Sequence, residues 1–377
     1  MHVIPVMKPW FGEEEQAAVA DAVASGWVAQ GPRVEAFERA FAARFGTAEA
    51  IALSSCTAAL HLALLVAGAG PGDHVIVPSL SFIATANAAR YVGATPVFAD
   101  VEAATGNVTA ETVSMVLTPQ TRAVIAVDQA GMPCDVRTLR ALCDPRGIVV
   151  IEDAACAVGS TFDGRPAGAD ADLATFSFHP RKVITTGEGG MVLVRDAVAA
   201  ARMRRLREHA MSVSATERHA RGAAVIEQYL EVGYNYRMTD VQAAIGLVQL
   251  GRLDSIVGRR RELAERYRRL LAPVPGARLP VEPPAARTNY QSFWVELPVR
   301  DAGERNAVLD AMQRQGISCR RGIMAAHLEP AYRDGPETSL PVTERLTERT
   351  VILPLFHEMT DEDQDRVVSA LRDSLVR

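Results

Sequence analysis

Lysine is almost missing from this chain. Of its 40 basic residues, only positions 8 and 182 are lysine, and the other 38 are arginine. Arginine serves wherever a plain positive charge is needed, but it keeps its proton near neutral pH and does no amine chemistry. A lone mid-chain lysine is therefore either a survivor of compositional bias or a group that has to shed a proton. Composition leaves both readings open. Other scarcities exclude whole classes. The basic residues are offset by 45 acidic ones, for a net charge of −5, which leaves no footprint for a nucleic acid. The N-terminal "MHVIPVMKPWFGEEE" lacks the basic start and apolar run of a secretory signal. The most apolar stretch, Ala48 to Gly70, is broken by Glu49, Ser54, Ser55 and His61, so no membrane span is expected. Cysteine occurs five times, at positions 56, 134, 143, 156 and 319, without metal-ligand spacing. Such an odd, scattered set suits reduced thiols in a cytoplasmic protein and no bound metal. No Gly-x-Gly-x-x-Gly follows an early strand, which disfavours a nicotinamide oxidoreductase.

What is present reads as an ordinary soluble enzyme of 377 residues, 48% hydrophobic and 23% charged, long enough for two or three domains. Short apolar runs alternate with helical patterns over the first two-thirds. "HVIVP" (74–78), "TPVFADV" (95–101), "AVIAV" (123–127), "GIVVIED" (147–153), "LATFSF" (173–178) and "MVLVR" (191–195) are strand candidates, apolar on both faces as covered parallel strands are. "TANAARYVG" and "DVRTLRALCDPRG" suit crossover helices. The alternation predicts an α/β domain with a mostly parallel sheet. Residues 240–272 read as one long helical stretch, bent around its glycines. A proline-rich connector, a strand at "SFWVELPV" and two helices follow, which predicts a smaller C-terminal α+β domain. The expected division is residues 1–250 and 251–377, with the long helix as the link.

Ligands of α/β sheets bind beyond the carboxyl ends of the strands, and three segments put useful groups there. In "IALSSCTAALHLAL" (51–64) a strand ends at Ser54–Ser55 and a helix starts near Thr57, which offers either an anion site at free backbone N–H groups or ordinary serine capping. In "VVIEDAACAVGS" (149–160) Glu152 and Asp153 stand where a strand runs out, as a cation partner or as a surface acidic pair. In "ATFSFHPRKVITTGEGGMVLV" (174–194) the mid-chain lysine follows a strand end, and "TTGEGG" leads into the next strand. An amine, an anion site and a carboxylate are what pyridoxal phosphate (PLP) requires for its aldehyde, phosphate and pyridinium nitrogen.

These segments resemble the sugar aminotransferases of the DegT/StrS group, which have the fold type I aminotransferase architecture with a seven-stranded, mostly parallel sheet. The resemblance runs from "SGWVAQGPRVEAFERAF" (25–41) to "LPLFHEMTDED" (353–363) and is most specific in "EDAACAVG", "SFHPRKVITTGEGGMV" and "GYNYRMTDVQAAIGLVQL" (233–250). It implies that Lys182 binds the PLP aldehyde and shuttles a proton, with the pyridoxamine form as the second state of the cofactor. It further implies that Asp153 pairs with the pyridinium nitrogen and that Phe82 stacks on the ring. Cys56 and Thr57 would give backbone N–H groups to the phosphate and Ser177 its hydroxyl, while Asn235 would reach the phosphate of a neighbouring subunit, which makes a homodimer. His327 matches a histidine near the substrate cleft, and Arg237 stands either to bind the donor carboxylate or to form an ion pair. Three positions depart from the common pattern: Cys56 stands where glycine is usual, Cys156 where glutamine often meets the ring hydroxyl, and Asp128 where histidine is common. His179 reads as a packed neighbour, Lys8 as a surface charge, and the run 258–269 as a solvated helix face.

The implied activity is transfer of an amino group from L-glutamate to a nucleotide-linked keto-sugar. "TTGEGG" resembles the 4-aminating members and points to a dTDP-4-keto-6-deoxyhexose in amino-sugar biosynthesis. A 3-keto sugar or a keto-cyclitol is the alternative acceptor. A sugar 3-dehydratase of the same fold carries histidine in place of the lysine, and a non-catalytic regulator would not need Asp153, Ser177, Lys182 and Asn235 together.

Overall fold

The computed structural model describes residues 2–47, 49–213, 226–333, 335 and 338–375. Its centre is a seven-stranded sheet built from β1 (Glu49–Leu53), β2 (His74–Pro78), β3 (Thr95–Ala99), β4 (Thr121–Val127), β5 (Val149–Asp153), β8 (Leu173–Ser177) and β9 (Gly190–Val194). Two short strands, β6 (Thr161–Phe162) and β7 (Arg165–Pro166), form a hairpin between β5 and β8. The order across the large sheet is β1-β9-β8-β5-β4-β2-β3. All neighbours are parallel except those of β9, which runs against both β1 and β8. The runs read from sequence as strands are strands, each within a few residues of its expected ends.

Why the strands lack polar–apolar alternation is visible in the packing. Side chains alternate between faces, and both faces are covered. Ala50, Ala52, Val124, Ala126, Val150 and Phe176 enter one core with Phe37, Phe41 and Phe45 of the helix Pro32–Phe45. Ile51, Leu53, Ile125, Ile151 and Val192 enter the other, beneath the helices Cys56–Val66 and Ala197–Leu206. The free edge of β1 is closed by charged side chains instead of another strand. Glu38 accepts from Ala52 N at 2.8 Å, and Arg207, paired with Glu38, donates to Ala52 O at 2.8 Å. Such an edge cannot recruit a foreign strand.

The stretch 240–272 is two helices, Asp240–Gly251 and Leu253–Leu271, which meet at Arg252. Asp240 is fully buried because its carboxylate caps the helix Pro32–Phe45, accepting from Arg33 N at 3.1 Å and Val34 N at 3.0 Å. Beyond it, β10 (Ala286–Arg287) pairs with β6, and β11 (Phe293–Glu296), β12 (Arg320–Arg321) and β13 (Thr350–Leu353) make an antiparallel sheet in the order β11-β13-β12. This sheet has its own core with the helices Leu253–Leu271, Ala302–Arg314 and Asp361–Leu375, and Ile4 from the N-terminal end is buried in it. No helix among the described residues is long and apolar enough to cross a membrane.

Candidate active site

The carboxyl ends of β5 and β8, the start of the helix after β1 and the loop between β8 and β9 converge on Lys182. The lysine sits in a turn that its own backbone closes: Lys182 N donates to His179 O at 2.8 Å, and Arg181 N to His179 Nδ1 at 3.1 Å. Burial, partly offset by Glu188, lowers the pKa of His179 below the usual histidine value, so the ring is neutral and accepts that second bond. His179 therefore shapes the turn and is not free to act as a base. From the turn the half-buried lysine reaches inward, and its Nζ lies 3.2 Å from Cys156 Sγ.

Asp153, the last residue of β5, is buried and half-satisfied from within the chain. Its carboxylate accepts from Thr85 Oγ1 at 3.0 Å and Ala155 N at 3.2 Å. Burial raises its pKa above the usual carboxylate range, against the opposing pull of Lys182, Thr85 and Ala155. A buried carboxylate held this way lacks a full counter-charge, and a cation placed against it would relieve the cost. The pKa of Lys182 is raised although burial pulls it down, because the amine meets Cys156 Sγ and has Asp153 beside it. The Cys56 side chain, which sequence reading treated only as a carrier of its backbone N–H, faces this centre; burial and Asp153 push its thiol far up, so it stays neutral.

The helix Cys56–Val66 begins at the same place. Ser55 caps it by accepting from Ala58 N at 3.1 Å. The Cys56 and Thr57 N–H groups, in the first turn, have no partner among the described residues. The serine therefore caps, and the two N–H groups that an anion would need stand without a partner beside it. Gly190 explains part of "TTGEGG". A Cβ there would stand 2.5 Å from Ser55 C and O and 2.7 Å from Cys56 N. Only glycine lets β9 pass under the helix start. Gly190→Ala should weaken binding of a phosphate-bearing ligand roughly tenfold or more and cost about 2–4 kcal/mol of stability. Fluorescence titration and thermal melting check this, and wild-type affinity and Tm together would contradict it. Ser177, paired with Gly190 across β8 and β9, completes this rim. Its hydroxyl accepts a long 3.4 Å bond from His179 N, and its hydrogen is left to donate.

The other sequence candidates lie around this centre. Phe82 stands past the end of β2 and is 61% exposed. Asn235 is exposed, on a bridge to Glu208. Arg237 is half-buried on a bridge to Leu53 and has no ion pair among the described residues. His327 is buried, with Nδ1 2.6 Å from Ser79 Oγ and Nε2 3.4 Å from Glu344. Both of its ring nitrogens are engaged within the chain. Lys8 pairs at the surface with Glu358. All five cysteines are free, and no group of three or more potential metal ligands occurs among the described residues.

Two features escaped sequence reading. One is the buried segment Thr288–Gln291, which grips the backbone on both sides of the Lys182–Cys156 contact. The other is an acid pair behind Asp153. Asp128 is fully buried and accepts from Cys134 N at 2.8 Å; its Oδ2 is buried without a hydrogen-bond donor among the described residues, and the Glu152 carboxyl is the acid beside it. Burial, and then Asp128, push the Glu152 pKa well up, so Glu152 carries the shared proton; burial pushes Asp128 up to about 7. Asp128 binds its proton more tightly folded than unfolded, so stability falls as pH rises from about 4 toward 7. Asp128→Asn keeps the bond from Cys134 and adds a donor for Glu152. It should flatten that dependence and stabilise the protein at pH 8 by roughly 2–4 kcal/mol. Melting curves at pH 5.5 and 8 check this, and a loss of stability at pH 8 would contradict it.

Residues 9–372 match the DegT/DnrJ/EryC1/StrS aminotransferase family. The chain belongs to that family. Its architecture is that of the fold type I aminotransferases, and the family's cofactor is PLP. Among solved structures it is similar to the aminotransferase TlmJ from Streptoalloteichus hindustanus, at 39% identity and TM-score 0.92 over 100% of this chain and 99% of that one. It is similar to the putative sugar aminotransferase Spr1654 from Streptococcus pneumoniae in its PLP form, at 28% identity and TM-score 0.93 over 100% and 99% of the two chains. It is also similar to DesI solved in the presence of its TDP-sugar product, at 33% identity and TM-score 0.90 over 100% and 94%. The residues present fit the cofactor: an amine for the aldehyde, a buried carboxylate short of a counter-charge, and two free N–H groups beside a hydroxyl for the phosphate.

Proposed function

We propose that this chain moves an amino group from L-glutamate to a nucleotide-linked keto-sugar, at the C4 ketone of a 4-keto-6-deoxy sugar, in the cytoplasm. The observation that carries the reading is the single mid-chain lysine, whose amine meets Cys156 Sγ with Asp153 beside it, next to an anion-binding helix start. The transfer balances: the carbon of glutamate bearing the amine becomes a ketone, giving 2-oxoglutarate, and the sugar ketone becomes an amine. When bound, PLP supplies the aldehyde that carries the amino group and the ring that takes up the electrons left at carbon. Lys182 lifts the proton from that carbon and returns it at the end, for which an amine held close is the suitable acid–base group. Asp153 holds a positive charge at the ring nitrogen. The Cys56 and Thr57 N–H groups and Ser177 Oγ hold the phosphate. Asn235, exposed on its bridge, is suited to reach a second subunit, and the unit we propose is a homodimer.

The acceptor is the part of the proposal that a substrate panel tests. With glutamate and PLP, nucleotide 4-keto sugars, nucleotide 3-keto sugars and keto-cyclitols are supplied in turn, and the position of the new amine is read by NMR. Turnover confined to the 4-keto sugars is expected. Turnover of only a 3-keto sugar or a keto-cyclitol would overturn the acceptor while leaving the aminotransfer intact.

A further inference from the structure

The segment Thr288–Gln291, just before β11, is far in sequence from Lys182 and on its other side is held by Arg261, which donates to Thr288 O at 2.9 Å, and by Arg268, which donates to Tyr290 OH at 3.3 Å. Yet it meets both stretches of chain that bring groups to the amine. Asn289 is fully buried, and its Nδ2 donates to Cys156 O and Val158 O, both at 2.8 Å. Its backbone N–H donates to Ser160 Oγ at 2.9 Å, and Ser160 Oγ donates to Gly131 O at 2.6 Å. Two residues on, Gln291 Nε2 donates to Arg181 O at 2.5 Å. Among the described residues, three hydrogen bonds tie residues 179–184 to chain outside the loop: the long one from His179 N to Ser177 Oγ at the loop's own start, one from the lysine amine to Cys156 Sγ, and one from Gln291 to the carbonyl just before the lysine. The last two lead back to the same four residues.

The segment is built to be rigid. Tyr290 adopts φ 51°, a left-handed conformation that a bulky residue takes only when its surroundings impose it. Arg260 imposes it from the helix Leu253–Leu271, donating to Tyr290 O at 2.9 Å and Gln291 O at 2.8 Å. Arg260 is 2% exposed and has no carboxylate partner among the described residues. Opposite, Gly131 lies so close that a Cβ would stand 1.9 Å from Asn289 Oδ1. A segment fixed this firmly does not yield when the amine moves.

We propose that Asn289 and Gln291 are positioning residues: they set the backbone on either side of the Lys182–Cys156 contact and so hold the amine where it exchanges its proton. The proposal rests on the aminotransferase reading given above. Arg181 O is one residue from Lys182, and releasing it lets the turn drift. A displacement of about 1 Å of a reacting group costs on the order of 10²-fold in rate. Gln291→Met keeps the size of the side chain and removes the donor; Gln291→His restores a ring N–H.

The test loads the full-length protein with PLP and follows three quantities. These are the single-turnover loss of the visible band on adding glutamate, the pH midpoint of that band, and Tm. Gln291→Met is expected to keep the band and nearly the wild-type Tm, slow the single turnover by roughly 10- to 100-fold, and move the pH midpoint. Gln291→His is expected to recover most of the rate. Should Gln291→Met fail to fold, Gln291→Ser, which leaves room for a water at the carbonyl, takes its place with the same expectation. A variant that melts earlier but turns over and titrates like wild type would overturn the proposal and leave these residues structural. Wild-type protein is the control that separates the two readings: without a visible band of its own, the cofactor assignment fails before any variant is compared.

Discussion

Lys182→Arg should yield a folded protein that retains charge at position 182 and transfers no amino group. The substitution preserves a cation between Cys156 and Asp153, so the apo protein should melt near the wild-type temperature. What it removes is a proton that can leave, because guanidinium holds its proton across the pH range in which proteins are stable. A positioned acid–base group contributes about 10²–10⁴-fold, and Lys182 is also the covalent anchor of the cofactor, so the expected loss exceeds about 10⁴-fold. Single-turnover mixing with glutamate measures it. Lys182→Ala leaves a cavity instead, and added small primary amines should restore part of its rate. Residual activity of Lys182→Arg within about tenfold of wild type would place the chemistry elsewhere.

Asp153→Asn is the second large effect. The amide keeps the size of the carboxylate and can still meet Thr85 Oγ1 and Ala155 N. The apo protein should be no less stable and even somewhat more so, since burial makes the charge costly and raises its pKa. The loaded protein should lose, because the amide cannot hold a positive ring nitrogen in a buried place. Removing one electrostatic partner of the reacting system costs roughly 10²–10³-fold in other enzymes, and a loss of that order is expected with glutamate in a single turnover. Weaker cofactor retention on gel filtration should accompany it. The two halves of this prediction have opposite signs, which a merely structural role for Asp153 would not produce. A destabilised apo protein with unchanged turnover would contradict it.

Most of the sheet was legible because parallel strands covered on both faces are apolar throughout, and "AVIAV" or "LATFSF" has few other uses. The lysine was legible through scarcity: where arginine replaces lysine everywhere but at position 8, position 182 is conspicuous. The antiparallel insertion of β9 was not, since a five-residue apolar run carries no sign of its direction. The break at Arg252 was legible only as a bend expected around the glycines of 240–272, and it falls just after Gly251. Asn289 and Gln291 were missed for a different reason. "TNYQSF" looks like the approach to a strand, and its partners Cys156 and Arg181 lie 133 and 110 residues away. Contacts of that separation are made by folding and leave no local pattern. The proximity of the Cys56 thiol to Lys182 was hidden in the same way, because a helix start advertises its backbone and not where its first side chain points.

The account rests on Lys182 as the residue that holds PLP and exchanges the proton, and the scarcity of lysine makes one measurement decisive. Purified protein mixed with PLP should turn yellow, glutamate should bleach the band, and borohydride added before glutamate should fix the cofactor to the chain. Peptide mapping then has only two lysines to choose between, Lys8 and Lys182. Label on the peptide containing Lys182, with none on Lys8, is the expected result. A protein that stays colourless, or carries its label on Lys8 alone, would contradict the account at its centre.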